Sequence, residues 1–405
     1  MKKLTYPNAA ALCLACLLAA TSCTQDELPA GTGTFDGGIV FTSPYTLTRS
    51  DAMRYGSFRE GDQVGVLGYC KATNQGRDNS GSPWEAKKDF CKPEVFYNQP
   101  LTYTDKGLWE YNWTGNGYIN DLHPWYEPGQ DDNGLDYTYS FFAYYPYAAN
   151  GTIYDKKNKS MGKIELSTED ATGDPQITYT MPHLGYSNTD KLDWTKVPDL
   201  MLAYTTDHLK ADGTVKLDFR HLFCAFEFKV NNYTTDEVKI SKLTVSGSEF
   251  YKSVTVNGRQ TGYEVGTDRY KGTFDVLSTY TGNQGFTCPK GTEIKDTETQ
   301  EVIGITPATV SITTDGTATA KGDPVALLFI PDANGKLTAN SHSDLTLHIT
   351  VDGIGQSKDM KLTEATFKAG VRSVFNINIV GNDIYLQLES DGSWDDGGDS
   401  DITFE

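Results

Sequence analysis

The sequence is poor in what most chemistry needs. Six histidines (His123, His183, His208, His221, His342 and His348) are scattered through 405 residues, with no HExxH run or paired metal spacing. There is no Gly-x-Ser-x-Gly elbow and no P-loop, and Gly31-Thr-Gly33-Thr-Phe-Asp36 lacks the third glycine of a dinucleotide fingerprint. Carboxylates are plentiful, but a glycosidase needs two of them held roughly 5 to 10 Å apart, and acidity alone does not supply that. We therefore expect no enzyme activity, no cofactor and no metal. Helical periodicity is also missing: no stretch of ten or more residues shows it, which excludes bundles and βαβ folds. Beyond Ala9–Ala20 there is no long apolar run. That run of about a dozen residues is shorter than the roughly 20 a membrane helix requires.

Ala9–Ala20 has the length of a signal-peptide core, with Lys2 and Lys3 before it and Ala20-Thr21-Ser22-Cys23 after it. This ending resembles the bacterial lipobox, although the usual Leu three places before the cysteine is Ala here. The resemblance implies removal of residues 1–22 and acylation of Cys23. Each buried CH₂ contributes about 0.8 kcal/mol, so several chains give a durable anchor. Asp26 and Glu27 resemble the surface-export signal of Bacteroidetes lipoproteins; a solvated linker is the plain alternative. Losing the two signal lysines takes the net charge from −19 to −21. Such a chain repels nucleic acid and anionic lipid. Of the seven cysteines, Cys13 and Cys16 leave with the signal. Cys70, Cys91, Cys224 and Cys288 are widely spaced and form neither CxxC nor a zinc pattern, so buried thiols, or at most one bridge, are expected.

The remaining text is rich in Gly, Thr, Tyr and Asp, with short alternating runs such as Gly38–Thr42, Gln63–Leu67, Lys239–Val245 and Leu345–Val351. Period-two alternation without intervening helices predicts an all-β chain of sandwiches. About 380 mature residues suit two domains. Residues 24–37 read as a polar tether. A weak repeat links the strand near 39 and its successor at 63–67 to Ala225–Val230 and its successor at 239–245, as the opening strand pairs of two related sandwiches. The expected division is a first domain over 50–215, with its first strand near 38–42, and a second over 216–405. Residues 115–135 and 281–300 read as long loops.

Several patterns coincide in order: Gly38-Ile-Val-Phe-Thr42; Thr48-Arg49-Ser50; Phe58-Arg-Glu-Gly-Asp-Gln-Val-Gly-Val66; the aromatic stretch Tyr137–Tyr147; Pro198-Asp-Leu-Met-Leu-Ala203; Leu217–Phe228; and Ser393-Trp-Asp-Asp-Gly-Gly-Asp-Ser-Asp-Ile-Thr-Phe-Glu405. Together these resemble the fimbrillin-like lipoproteins of Bacteroides and relatives, the type V pilins. The resemblance implies two transthyretin-like β-sandwiches in tandem. It implies an outer-membrane lipoprotein precursor, cut after an arginine by a trypsin-like protease. The cut releases the first strand, and a strand of another fimbrial subunit fills the groove. Arg49 occupies the matching position, with Ser50 as the new first residue and Arg54 and Arg59 as neighbouring alternatives. The strand removed would be Ile39-Val40-Phe41. An exposed, unpaired apolar slot of this kind is a template for a new strand. Ile384, Leu386 and Leu388 share one face of the alternating segment 382–389 and could form a donor; an ordinary core strand of its own domain is the other reading.

The implied function is a stalk or tip subunit of a cell-surface fimbrium supporting adhesion or biofilm. The alternative is a monomeric surface lipoprotein that takes a glycan or host protein on its loops. Trp84, Trp109, Trp113 and Trp125 could form a sugar platform there, with Trp125 expected to be the most exposed; core packing is the usual fate of such residues. Asp395–Asp401 supplies oxygens but not an EF-hand spacing and reads as a solvated acidic turn.

Overall fold

A computed structural model describes residues 38–43, 58–72, 83–104, 106–113, 122–126, 137–154, 160–182, 198–277, 285–313, 327–339, 344–353, 355–363, 365–393 and 400–402. Strands dominate it. Helix is scarce among these residues: α1 (Trp84–Lys87) is a single turn, continued by a 3₁₀ turn over Lys88–Phe90. None of the described helices is long and apolar enough to cross a membrane.

The first half is organised by an eight-stranded sheet. Its order is β10 (Val215–Lys216), β1 (Phe41–Thr42), β4 (Leu108–Glu110), β3 (Phe96–Tyr103), β2 (Gln63–Ala72), β5 (Tyr137–Tyr145), β9 (Met201–Leu209) and β11 (Arg220–His221). Alternation sends Val64, Val66, Phe141 and Ala203 into one core and Leu67, Tyr69, Phe142 and Leu202 into another. Burial on both faces explains why Tyr137–Tyr145 reads as a nearly unbroken apolar run. The first core is built from this sheet and its connections, because the sheet curls on itself: the Thr205 hydroxyl in β9 donates to the Lys216 carbonyl in β10.

The other face packs on a five-stranded sheet of order β15 (Tyr263–Val265), β14 (Ser253–Asn257), β8 (Gln176–Thr180), β7 (Ser160–Leu166) and β6 (Thr152–Tyr154). The second half is a sandwich of two sheets. One runs β20 (Ala308–Ser311), β12 (Cys224–Asn232), β24 (Val371–Val380), β25 (Asp383–Ser393) and β26 (Ser400–Ile402), with β21 (Leu327–Phe329) also on β12. The other runs β16 (Arg269–Asp275), β13 (Val238–Tyr251), β22 (Thr346–Asp352) and β23 (Gln356–Lys361), with β17 (Phe286–Cys288) also on β13. Phe226, Phe228, Phe329, Phe367 and Phe375 fill the space between them. The fold is thus all-β, with sandwiches in tandem.

Three expectations need correction. Residues 281–300, read as a loop, contain β17 and β18 (Thr292–Lys295); β18 pairs with β19 (Val302–Thr306) in a separate hairpin. Its exposed, polar-dominated residues carry no periodicity from which a strand could be read. Trp125 is buried rather than exposed, stacked on His208 at 5.7 Å and set edge-on to Tyr139 at 4.8 Å. Trp84 and Trp109 are buried as well, so the aromatic platform does not form from them. Finally, the opening strands of the repeat do not pair within each half: β1 lies between β10 and β4, and β12 and β13 belong to different sheets.

Candidate functional site: the slot of the first strand

Ile39-Val40-Phe41-Thr42 is short, yet it sits inside a sheet. β1 runs parallel to β10, with Phe41 opposite Val215, and antiparallel to β4, with Phe41 opposite Trp109. Its alternation directs Ile39 and Phe41 inward, where both are fully buried, while Val40 and Thr42 are only partly covered. Phe41 meets Phe141 edge-on at 5.2 Å and lies 6.0 Å from both Phe96 and Tyr111. Fully burying one such side chain contributes about 1.5–3 kcal/mol, and each aromatic pair about 0.5–1.5 kcal/mol more.

The backbone of this segment is equally committed. The Val215 and Leu217 amides donate to the Val40 and Thr42 carbonyls, both at 2.8 Å, and the Ile39 amide donates to the His123 carbonyl at 2.8 Å. The Tyr111 hydroxyl donates to the Ile39 carbonyl at 2.8 Å, and burial pushes its pKa well above the ordinary phenol value, keeping it a donor. His123 is shifted the other way: burial holds its imidazole below the usual histidine range, despite the contact between Nδ1 and the Pro124 carbonyl. A strand leaving the slot strands these partners. Each unsatisfied buried group costs about 1–3 kcal/mol.

Farther along the chain Phe58 is buried in the same core, packed against Trp109 at 4.7 Å and Phe219 at 4.9 Å. Arg59 follows in a closed turn. Its amide donates to the Asp62 carboxylate at 2.6 Å and its carbonyl accepts from the Asp62 amide at 2.9 Å. Cys23, Arg49, Ser50, Arg54 and the acidic run 395–399 lie outside the described residues.

The segment named as a donor is β25. It pairs antiparallel with β24 along its length, from Val380 opposite Asp383 to Val371 opposite Ser393. Ile384, Leu386 and Leu388 are buried in the core of the second half, and Tyr385 points out, 55% exposed. In this arrangement the segment serves its own domain.

Elsewhere the chemistry is structural. Cys70, Cys91, Cys224 and Cys288 are buried, reduced thiols. His221 Nδ1 lies 2.6 Å from the buried Asp199 carboxylate, a paired core histidine. No group of metal-binding side chains occurs among the described residues. Sequence reasoning missed β10 and Tyr111 as partners of the first strand. The alternation Val215-Lys216-Leu217 after Gly213 was the available signal, but the expected domain boundary ran through it.

The profile of the fimbrillin-like family matches residues 48–391. The chain belongs to the fimbrillin-like family. The family is one of structural and adhesion proteins rather than enzymes. No curated relative matches. Among solved structures, a fimbrial protein from Bacteroides vulgatus is similar, at 20% identity over 89% of this chain and 100% of its own, with a TM-score of 0.54. A fimbrial assembly protein from Parabacteroides distasonis is more distant, at 11% identity over 91% and 98% of the two chains, with a TM-score of 0.34. The first of these shows that the fold is shared.

Proposed function

We propose that this fimbrillin-like protein is a subunit of a cell-surface fimbrium whose assembly begins when its first strand is cut away. The supporting observation is the slot: a strand with two paired residues inserted in a sheet, its two inward side chains fully buried. Chain removed through Arg49 takes Ile39, Val40 and Phe41 with it and opens an apolar row flanked by β4 and β10. Both flanking strands then offer backbone groups to a newcomer, and strand addition at an open edge gives affinity through the main chain and specificity through alternate side chains. Arg59 suits a protease poorly, because its carbonyl and amide are tied into a turn while proteases bind extended chain. Phe58 keeps the mature end anchored whether Arg49 or Arg54 is cut.

On this reading Cys23 is a transport tag. Its lipid holds the precursor at the outer membrane until an Arg-specific, trypsin-like protease acts, and then leaves with residues 23–49. The donor is a strand of another subunit. If it is 383–389, β25 must first leave β24 and withdraw Ile384, Leu386 and Leu388 from the core, which favours a copy in which that half is already rearranging.

The experiment is direct. Purified precursor is incubated with trypsin, sequenced from its N-terminus and run unheated on a gel. A start at Ser50 with an SDS-resistant ladder supports the proposal. A persistent monomer starting at Ser50 supports a monomeric surface lipoprotein instead, and lipidated Cys23 in assembled fibres overturns the processing step.

A further inference from the structure

We infer that residues 252–263 form a built-in complementing arm, through which the second half completes the first half's second sheet and makes the two halves one cooperative unit. The arm belongs by sequence to the second half, being the direct continuation of β13. Yet β14 pairs along its whole length with β8, from Ser253 opposite Thr180 to Asn257 opposite Gln176. The pairing is sealed at both ends: the Met181 amide donates to the Lys252 carbonyl and the Gly258 amide to the Pro175 carbonyl, each at 2.8 Å. Val254 and Val256 from the arm and Ile177 and Tyr179 from β8 are buried together, within a single core that runs through both halves. Without the arm, β8 becomes an open edge with an uncovered apolar row.

The turn after β14 carries a clasp. Arg259 grips Asp174 with two parallel hydrogen bonds, Nε to Oδ1 at 2.8 Å and Nη2 to Oδ2 at 2.7 Å. The same carboxylate accepts from the Trp84 indole at 2.8 Å and from Lys88 at 3.3 Å, and Glu85 meets the far side of the guanidinium. Two-pronged charged pairs of this kind fix geometry as well as adding energy. Gln260 then reaches the Leu202 carbonyl in β9 at 3.0 Å. Gly258 permits this close approach: a Cβ there would lie 2.5 Å from the Phe142 ring and 2.8 Å from Pro175. One turn of the second half therefore holds α1, the Asp174-Pro175 approach to β8, and β9 of the first half.

The test is hydrogen exchange read by mass spectrometry on the full chain, comparing wild type with Arg259→Ala. Exchange at 176–180 and 253–257 is expected to rise together by about tenfold or more, the size of one lost charged hydrogen bond. Exchange at 346–361, within the second half's own sheet, should stay within about twofold of wild type. Arg259→Lys should restore part of the protection, since it keeps the charge but not the fork. Should Arg259→Ala yield no folded protein, Gln260→Ala reads the same coupling through a joint rise at 200–204 and 253–257. The inference is overturned if 176–180 keeps wild-type protection while 253–257 loses it. It is equally overturned if the wild-type chain melts in two separate transitions, one per half.

Discussion

Phe41→Ala in the uncut chain is the sharpest probe of the slot. Phe41 has no exposed surface and three aromatic neighbours within 6.0 Å. A buried Phe→Ala change costs about 3–5 kcal/mol, because the transfer energy of the ring is lost and a cavity remains. The site has little freedom to collapse, since Phe141, Phe96 and Tyr111 are each fixed by their own strand or hydrogen bond, which places the effect in the upper part of that range. At about 1.4 kcal/mol per tenfold, the folding equilibrium should shift by about three to three and a half powers of ten. Urea unfolding followed by tryptophan fluorescence measures this, because buried Trp109 lies across from Phe41 in the sheet. Val40→Thr, on the partly covered face, should change stability by less than about 1 kcal/mol. After trypsin treatment that removes the strand, the Phe41→Ala and wild-type products have identical chains and should behave identically. A loss below 1 kcal/mol in the uncut chain would refute the claim that this strand fills and stabilises the slot.

Three further outcomes are expected. Arg49→Ala should abolish the product that begins at Ser50 and, with it, the ladder; an unchanged Ser50 N-terminus would show that Arg49 does not direct the cut. Burial pushes the Cys70 thiol up to about 12 and the Cys288 thiol up to about 11, and raises Cys224 as well. At pH 8 iodoacetamide should therefore label these sites only in urea, and rapid labelling of any of them in the folded chain would contradict the buried-thiol assignment. Burial alone would raise the Asp174 carboxyl, but hydrogen bonds from Arg259 and Trp84 outweigh it and hold the pKa below the ordinary aspartate value. Its contribution is then present above about pH 4 and lost as pH falls through the folded-state pKa. Asp174→Asn should lower the urea midpoint at pH 7 and flatten its acid limb below pH 4; parallel curves for the two proteins would rule this linkage out.

Much of the strand content was legible because period-two alternation survives in the text. Lys239–Val245 lies within β13, Leu345–Val351 shifts by one residue to β22, and Gln63–Leu67 lies within β2. The slot residues Ile39 and Phe41 were legible for the same reason. Partners were not. Nothing local in Val215-Lys216 says that it will run parallel to a strand some 175 residues earlier, since parallel pairing leaves no turn signature. Nor does Ser253–Asn257 announce that it crosses to the other half, because its alternation serves equally well against any apolar row. Trp125 misled for a physical reason: its polar sequence neighbours suggested a loop tip, but Tyr139 and His208 of the sheet pack against its ring and bury it.

The repeat between the halves clarifies why only one opening strand is suited to removal. In each half the opening strand runs parallel to a late one: β1 beside β10 in the first, β12 beside β24 in the second. The arrangement is shared, but the attachment is not. β12 pairs with β24 over eight residues, from Ala225 to Asn232, and also carries β20 and β21 on its other edge, with Phe226 and Phe228 in the shared core. β1 has two residues in register and two inward side chains. β12 sits in the chain between β11 and β13, whereas β1 is the first strand among the described residues. Removing β12 would dismantle a core; removing β1 leaves β2, β3, β5 and β9 paired, and the arm from the second half still closes β8. The slot can therefore open without unfolding the molecule around it, which is the property a strand-exchange subunit needs.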